Sequence, residues 1–241
     1  MMRREEHARE FLDGQVPMLE RAATLADLAW LNARFAGHRL TRRGVRALAG
    51  ARGALLVLDV GGGGGDFARY LVRWARRRGR VVRVVVVDAE PDALRLARLA
   101  GPTDRDVLLV RADAVALPFR EGAVDVAVAV LLLHHLDPGA AVATLREMAF
   151  VARAGVVVND LLRTRLSLAL VWLATRVFRC HRISRHDGPL SVRRSYGPDE
   201  LQGLARQAGM RRLGIRRYPL FGRLLALGLI DGRRAGRPTP A

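Results

Sequence analysis

The sequence predicts an α/β chain built on a doubly wound, mostly parallel sheet. Three observations predict it. Short, nearly continuous Val/Leu runs recur from about Leu55 onward, the composition of strands buried on both faces. Helical segments with their own start and stop residues alternate with those runs, the order of a wound α/β sheet. Five glycines, Gly61 to Gly65, join the first strand candidate to the helix after it, at the end of the sheet where such folds bind ligands.

The elements follow in order. Residues 1–50 read as helical, with apolar positions at Leu19, Leu25, Leu28, Trp30 and Leu31, and form an N-terminal cap. The strand candidates are ALLVLDV, VVRVVVVD, DVLLVRAD, VDVAVAVLLL and GVVVND. Asp66 is the N-cap candidate of the first intervening helix and Gly79 its stop. Pro91 sits in the first turn of the next and Gly101 ends it. Asp137 with Pro138 opens another, which Gly155 ends. A later helix, GPDELQGLARQAG, has Pro198 in its first turn and Gly209 at its stop. The main domain therefore spans residues 51–230, with an insertion at 161–197 and a flexible tail at 231–241.

That insertion holds an apolar segment, LSLALVWLATRVF, and a polar one, HRISRHDGPLSVRRSY. The apolar segment lies on a membrane surface, lines a greasy pocket under a lid, or packs as a core helix; Arg163, Arg165, Arg176 and Arg179 flank it. The RHDG stretch of the polar segment reads either as a carrier of site residues or as an Asp-Gly turn.

Composition narrows the classes. A chain of 241 residues, half of them hydrophobic, can bury a full core. Its first ten residues contain no apolar stretch of the secretory kind, and no apolar run reaches the ~20 residues of a membrane span. The lone Cys180 excludes an internal disulfide and fits a reducing, cytoplasmic setting. Net charge is +18, and all 41 basic residues are arginine. That excess reads either as an anionic partner, nucleic acid or membrane, or as arginine standing for lysine across solvated faces. Aromatics at 5% leave few stacking platforms for bases.

The glycine run decides between two ligand types. In a dinucleotide fingerprint, G-x-G-x-x-G, the pyrophosphate rests on the helix N-terminus. Counted from Gly61 and Gly63, the third position is Asp66, a carboxylate where a phosphate would lie. The spacing that fits is Gly61, Gly63, Gly65 preceded by Asp59. Bare glycines admit close backbone approach, and acidic neighbours favour a ligand with a positive end, such as a sulfonium or ammonium. Asp88 ends the second strand, where a carboxylate accepts from ribose hydroxyls. Asp113 ends the third, placed for an adenine amino group. Each aspartate alone also reads as a cap; in order, with the loop, they read as a site.

The segments VLDVGGGGGDFARYL, VVVVDAEPDALRLAR, RADAVALPFREGAVDVAVAVLLLHHL and LREMAFVARAGVVVNDLLR resemble the successive motifs of class I S-adenosylmethionine-dependent methyltransferases. The resemblance runs over about residues 50–225. It is nearest to the bacterial small-molecule group related to the quinone-biosynthesis enzymes. It implies a Rossmann-like, seven-stranded sheet with an antiparallel last strand, N-terminal helices and a helical insertion after strand five. It implies S-adenosylmethionine as cofactor, held by Asp59, Gly61, Gly63, Gly65, Asp88, Ala89, Asp113, Ala114 and Leu131. The family's second loop position is often Cys or Thr and is Gly62 here. VLLLHHL stands where nucleic-acid amino-methylating enzymes carry Asn-Pro-Pro-Tyr. The implied function is methylation of a small, largely apolar acceptor, with O-methylation in secondary metabolism or quinone-like biosynthesis the leading form. An RNA methyltransferase, and a non-catalytic nucleic-acid-binding protein on a vestigial fold, are the alternatives. The intact cofactor positions argue against the last. No metal ligand set is assigned.

Methyl transfer from a sulfonium is an in-line displacement, so positioning supplies much of the rate. Deprotonating a phenol of pKa ~10 near neutrality costs about 4 kcal/mol, which a general base offsets. His134 and His135 follow strand four at the ligand edge, as bases or as packing residues. Asp160 after strand five and His186, beside Asp187 in the insertion, are the other candidates. Cys180 beside His181 has no third orienting group. The cofactor's methyl is expected to face His134, Asn159 and Asp160, under the insertion and the N-terminal helices. Arg39 either meets the cofactor's carboxylate or stays on the surface.

Overall fold

A computed structural model describes residues 2–50, 53–101, 105–210 and 212–230. The tail expected at 231–241 lies outside them. Helices α1 (Met18–Arg34) and α2 (Gly37–Ala49) precede β1 (Ala54–Val60), α3 (Asp66–Arg76), β2 (Val81–Asp88) and α4 (Pro91–Leu99). There follow β3 (Val107–Arg111), β4 (Val124–Val130), α5 (Pro138–Val151) and β5 (Ala152–Leu161). Helices α6 (Arg165–Val177), α7 (Arg182–Arg194) and α8 (Pro198–Gln207) lead to β6 (Leu213–Tyr218) and β7 (Arg223–Leu229).

The seven strands lie in the order β3-β2-β1-β4-β5-β7-β6. Strands β1 to β5 pair in parallel, and β7 runs antiparallel between β5 and β6. Strand order reverses between β1 and β4, so the crevice for a ligand opens at their carboxyl ends. Alternate residues of one strand feed two cores. Leu58, Val85 and Val156 face α5 and α8 through Leu145, Met148, Leu201 and Leu204. Val57, Val84 and Val157 face α2 and α3 through Val45, Phe67, Leu71 and Trp74. Burial on both faces is why these strands read as unbroken Val runs.

Several local expectations are corrected. Gly65, at φ +69°, takes the N-cap of α3; Asp66 is its first residue, 2.6 Å from His38 Nε2 on α2. Gly155 does not end α5. It lies within β5, where any side chain would collide with the Gly228 carbonyl of the neighbouring strand. The RHDG stretch is helical, inside α7. Asp187 does not fold an Asp-Gly turn on itself, because its two oxygens accept the amides of Phe11 and Leu12, each at 3.0 Å. Of the apolar positions on α1, Leu19 and Trp30 are exposed.

The reading of the arginines as solvated faces also needs correction at particular positions. Arg21, Arg163 and Arg223 are buried. Arg163 ties the Met2 carbonyl and Glu200 together. Others, Arg42, Arg46 and Arg78, surround the Trp74 ring at 4.9, 5.7 and 5.0 Å. Among the described residues no helix is long and apolar enough to cross a membrane.

Candidate active site

Two cavities meet at the carboxyl ends of β1 and β4. The larger, about 700 Å³, is lined by Asp59, Gly61 to Gly64, Asp66, Asp88, Ala89, Asp113, Ala114 and Leu131, and roofed by α1. The glycine loop has the alternation its spacing suggests. Gly61, Gly63 and Gly65 have φ of +66°, +50° and +69°, a region that favours glycine. A Cβ on Gly61 would also lie 2.6 Å from Leu132 Cδ1. Asp88 fixes the loop: its Oδ2 accepts the Gly63 amide at 2.8 Å and its Oδ1 the Glu90 amide at 2.9 Å.

Asp59 is the unusual member. It is buried at the end of β1, and among the described residues neither carboxyl oxygen has a hydrogen-bond partner. Burial, with Asp66 and Asp88 nearby, pushes its pKa well above the carboxylate range. Burial likewise raises Asp88. An orphaned carboxyl beneath a bare glycine loop is what a ligand with a positive end would satisfy. The residues therefore fit a sulfonium- and ammonium-bearing cofactor. Asp113 is exposed, and its Oδ1 accepts the Val115 amide at 3.0 Å. Gly65 shapes the turn into α3 without lining the cavity.

The smaller cavity, about 150 Å³, is walled by Leu28, Leu31, Phe35, Leu161, Val171, Ala174 and Phe221, with His134, Glu10 and Arg223 among its polar residues. Leu12, Leu28, Asn32, Leu131 and His135 line both cavities. Leu131 holds this junction at φ +56°, an uncommon conformation for a leucine.

His134 is buried, and its Nδ1 lies 2.6 Å from Asp160 Oδ1. Burial would raise Asp160, but the charge and hydrogen bond of His134, with the Leu161 amide, hold it below the usual carboxylate range. On the other side, Glu10 Oε1 lies 3.9 Å from His134 Nε2. Burial raises Glu10 to about 7. His135 Nδ1 lies 2.7 Å from Asp13 Oδ1, and Arg194 reaches Asp13 Oδ2 at 3.0 Å. Glu10, His134 and His135 bring ligand-type atoms within 4.8 Å of one another. Arg194 Nε, 3.9 Å from Glu10 Oε1, already supplies a cation there.

Four expected positions lie elsewhere. Asp160 contacts neither cavity directly and acts on His134 instead. His186 lies outside both linings, half-exposed, stacked on Phe11 with centroids 4.1 Å apart. Asn159 donates to Gly37 O and Thr41 Oγ1 on α2, so it fastens that helix and does not face an acceptor. Arg39 is exposed; the arginines lining the larger cavity are Arg21 and Arg69.

The residue with no sequence signal is Glu10. It arrives on an N-terminal strap: Glu5 N–H donates to Arg193 O, Arg4 Nε to Arg194 O, and the Phe11 and Leu12 amides to Asp187.

The wound sheet and the alternating glycine loop have the form of the class I methyltransferase fold. Residues 57–155 match the family model described as "Methyltransferase domain". No curated protein matches the chain. Among solved structures, human N-acetylserotonin methyltransferase in complex with SAM is similar at TM-score 0.63 and 16% identity, over 88% of this chain and 56% of that one. This chain thus spans little more than half of the human chain. The putative methyltransferase complexed with the Trm112 activator of Haloferax volcanii gives 0.59 and 19% identity, over 92% and 99%. Magnesium protoporphyrin IX methyltransferase from Synechocystis PCC 6803, with bound SAH, gives 0.55 and 14%, over 91% and 90%.

Proposed function

We propose that the chain methylates an oxygen on a small, largely apolar acceptor, with His134 as general base. The observation that carries this is the position of His134: in the wall of an apolar cavity that shares a side with the cofactor cavity, with Asp160 behind it. S-adenosylmethionine, when bound, would supply an electrophilic methyl group and leave as the neutral thioether. Asp59 would hold its ammonium, Asp88 with Ala89 its ribose, and Asp113 with Ala114 its adenine. Arg21 or Arg69 would hold its carboxylate.

The acceptor's ring lies among Leu28, Leu31, Phe35 and Val171, which exclude water. An ionised Asp160 keeps the imidazole proton on Nδ1, leaving Nε2 as the lone pair facing the cavity. Nε2 would take the hydroxyl proton, leaving the acceptor oxygen as the nucleophile that displaces the thioether from that methyl group. The imidazolium that forms is stabilised by Asp160 on one side and Glu10 on the other. Arg223, buried with Nη1 unpartnered among the described residues, offers a donor to a second oxygen of the acceptor. The buried free Cys180 is consistent with a cytoplasmic enzyme. A role in secondary metabolism or quinone-like biosynthesis belongs to the same proposal.

The test is transfer of labelled methyl from S-adenosylmethionine to a panel of phenols, quinols and catechols. Label in an ether product is expected, and His134→Gln should lower its rate about 10²–10⁴-fold while cofactor affinity stays within a few fold. Label entering RNA and no phenol, or a His134→Gln variant with full turnover, would overturn the reading.

A further inference from the structure

Helix α6 has apolar residues on both its sides. Its inner side, Val171 and Ala174, walls the smaller cavity. Its outer side carries Leu166, Trp172, Leu173 and Val177 to the surface, with relative exposures of 49, 49, 52 and 60%. The surface continues onto Phe178, whose ring packs 4.6 Å from the exposed Trp30, and onto Leu220 and Phe221 beside α6. A helix that turns apolar side chains to water as well as to the core is not at rest there, and a patch of this extent marks something it meets.

Charge says what that is. Between Leu161 and His186 the sequence has six arginines and no acidic residue. Arg165, Arg176 and Arg179 are exposed on or just after α6, and Arg34 joins them from α1. Arg176 stacks over Trp172 at 4.3 Å and Arg34 over Trp30 at 5.8 Å. Such pairs put a guanidinium beside an aromatic ring at the edge of the greasy face, where a bilayer has its headgroups. Two carboxylates lie near: Glu20 is taken by Arg182, and Asp27 accepts the His181 amide and the Ser184 hydroxyl. At 13 residues α6 is about 20 Å long, too short to cross a hydrocarbon core of about 30 Å and suited to lying in its surface.

The cavity opens on the same face. Of the residues lining it, the exposed ones are Leu170, Leu220 and Phe221, and all three lie in the apolar patch.

The geometry points to α6 as an in-plane docking helix for an anionic bilayer, through which the smaller cavity is loaded from the lipid phase. Docking rests on the surface alone and is independent of the proposed methyl transfer.

Co-sedimentation with phosphatidylcholine vesicles, with and without phosphatidylglycerol, tests it on the full chain. Binding is expected to the phosphatidylglycerol vesicles and to weaken with salt. Leu173→Glu and Trp172→Glu, at positions that do not line the cavity, should each lower it at least tenfold with cofactor binding retained. Arg176→Ala and Arg179→Ala should each lower it about fivefold. Equal binding to both vesicle types, no binding to either, or a dimer that Leu173→Glu dissociates would overturn the proposal. Vesicle binding without methylation of any phenol would leave docking standing and remove the proposed function.

Discussion

Replacing Glu10 by Gln is expected to stabilise the protein above pH 7 and to flatten its stability between pH 5 and 7. The carboxyl is buried between His134, His135 and Arg194, and burial lifts it from 4.5 to about 7. At 1.36 kcal/mol for each unit, that rise corresponds to about 3 kcal/mol. Below pH 4.5 the group is protonated in the folded and unfolded chains alike and contributes no pH dependence. From 4.5 to about 7 the unfolded chain has released the proton and the folded chain still holds it, so stability falls as pH rises. Above 7 the loss is complete. An uncharged amide avoids it and keeps an oxygen for the Ser191 hydroxyl, which donates to Glu10 Oε2 at 2.8 Å. Thermal unfolding of both proteins across pH 5 to 8 measures the effect. For a chain of this size, about 3 kcal/mol is a difference of about 6–12 °C in Tm at the alkaline end, shrinking towards pH 5. Two parallel curves would refute the reasoning, since they would mean the carboxyl ionises in the folded protein as it does in the unfolded one.

Three further outcomes are expected. Asp160→Asn should lower kcat by at least a hundredfold with KM for S-adenosylmethionine little changed, because the amide no longer holds the Nδ1 proton or balances the imidazolium; steady-state kinetics with unchanged values would remove Asp160 from the mechanism. Asp59→Asn should weaken S-adenosylmethionine binding at least tenfold by calorimetry while raising the Tm of the ligand-free protein, because it deletes a buried carboxyl that lacks a partner. Removing residues 2–14 takes away Glu10, Asp13 and the strap over α7. It should abolish turnover and leave far-ultraviolet circular dichroism nearly unchanged; a truncation that still turns over would exclude the strap from the site. Cutting at residue 40 is a poorer experiment, because α2 starts at Gly37 and packs on β4, β5 and β7.

Much of the sheet was legible because its information is local. ALLVLDV and VVRVVVVD coincide with β1 and β2 to the residue, since the stretches buried on both faces are apolar. The loop was legible for the same reason: positive φ at alternate positions needs glycine at alternate positions, and Asp59 near the end of β1, Asp88 at the end of β2 and Asp113 just beyond β3 reach the crevice. A ligand with a positive end followed from where the acidic residues stand relative to those glycines, and S-adenosylmethionine from the resemblance of the ordered motifs. Less was readable where a residue's role depends on a partner far along the chain. Asp187 looked like a turn because its partners, the Phe11 and Leu12 amides, lie some 175 positions away.

What the sequence by itself determined is the parallel part of the wound α/β sheet, β1 to β5, and the glycine loop, because short-range periodicity and backbone conformation specify them; β6 and β7 came only with the family resemblance. The tertiary structure alone decided which candidates stand together as chemistry. His134 stands between Asp160 at its Nδ1 and Glu10 near its Nε2, and α7 holds His186 outside both cavities. The same holds for α6, whose composition suited a pocket wall, a core helix or a membrane face. Its placement over the cavity put one side against the pocket and left the other exposed. Periodicity tells which residues share a side of a helix; only the packing of the neighbours decides which side they cover.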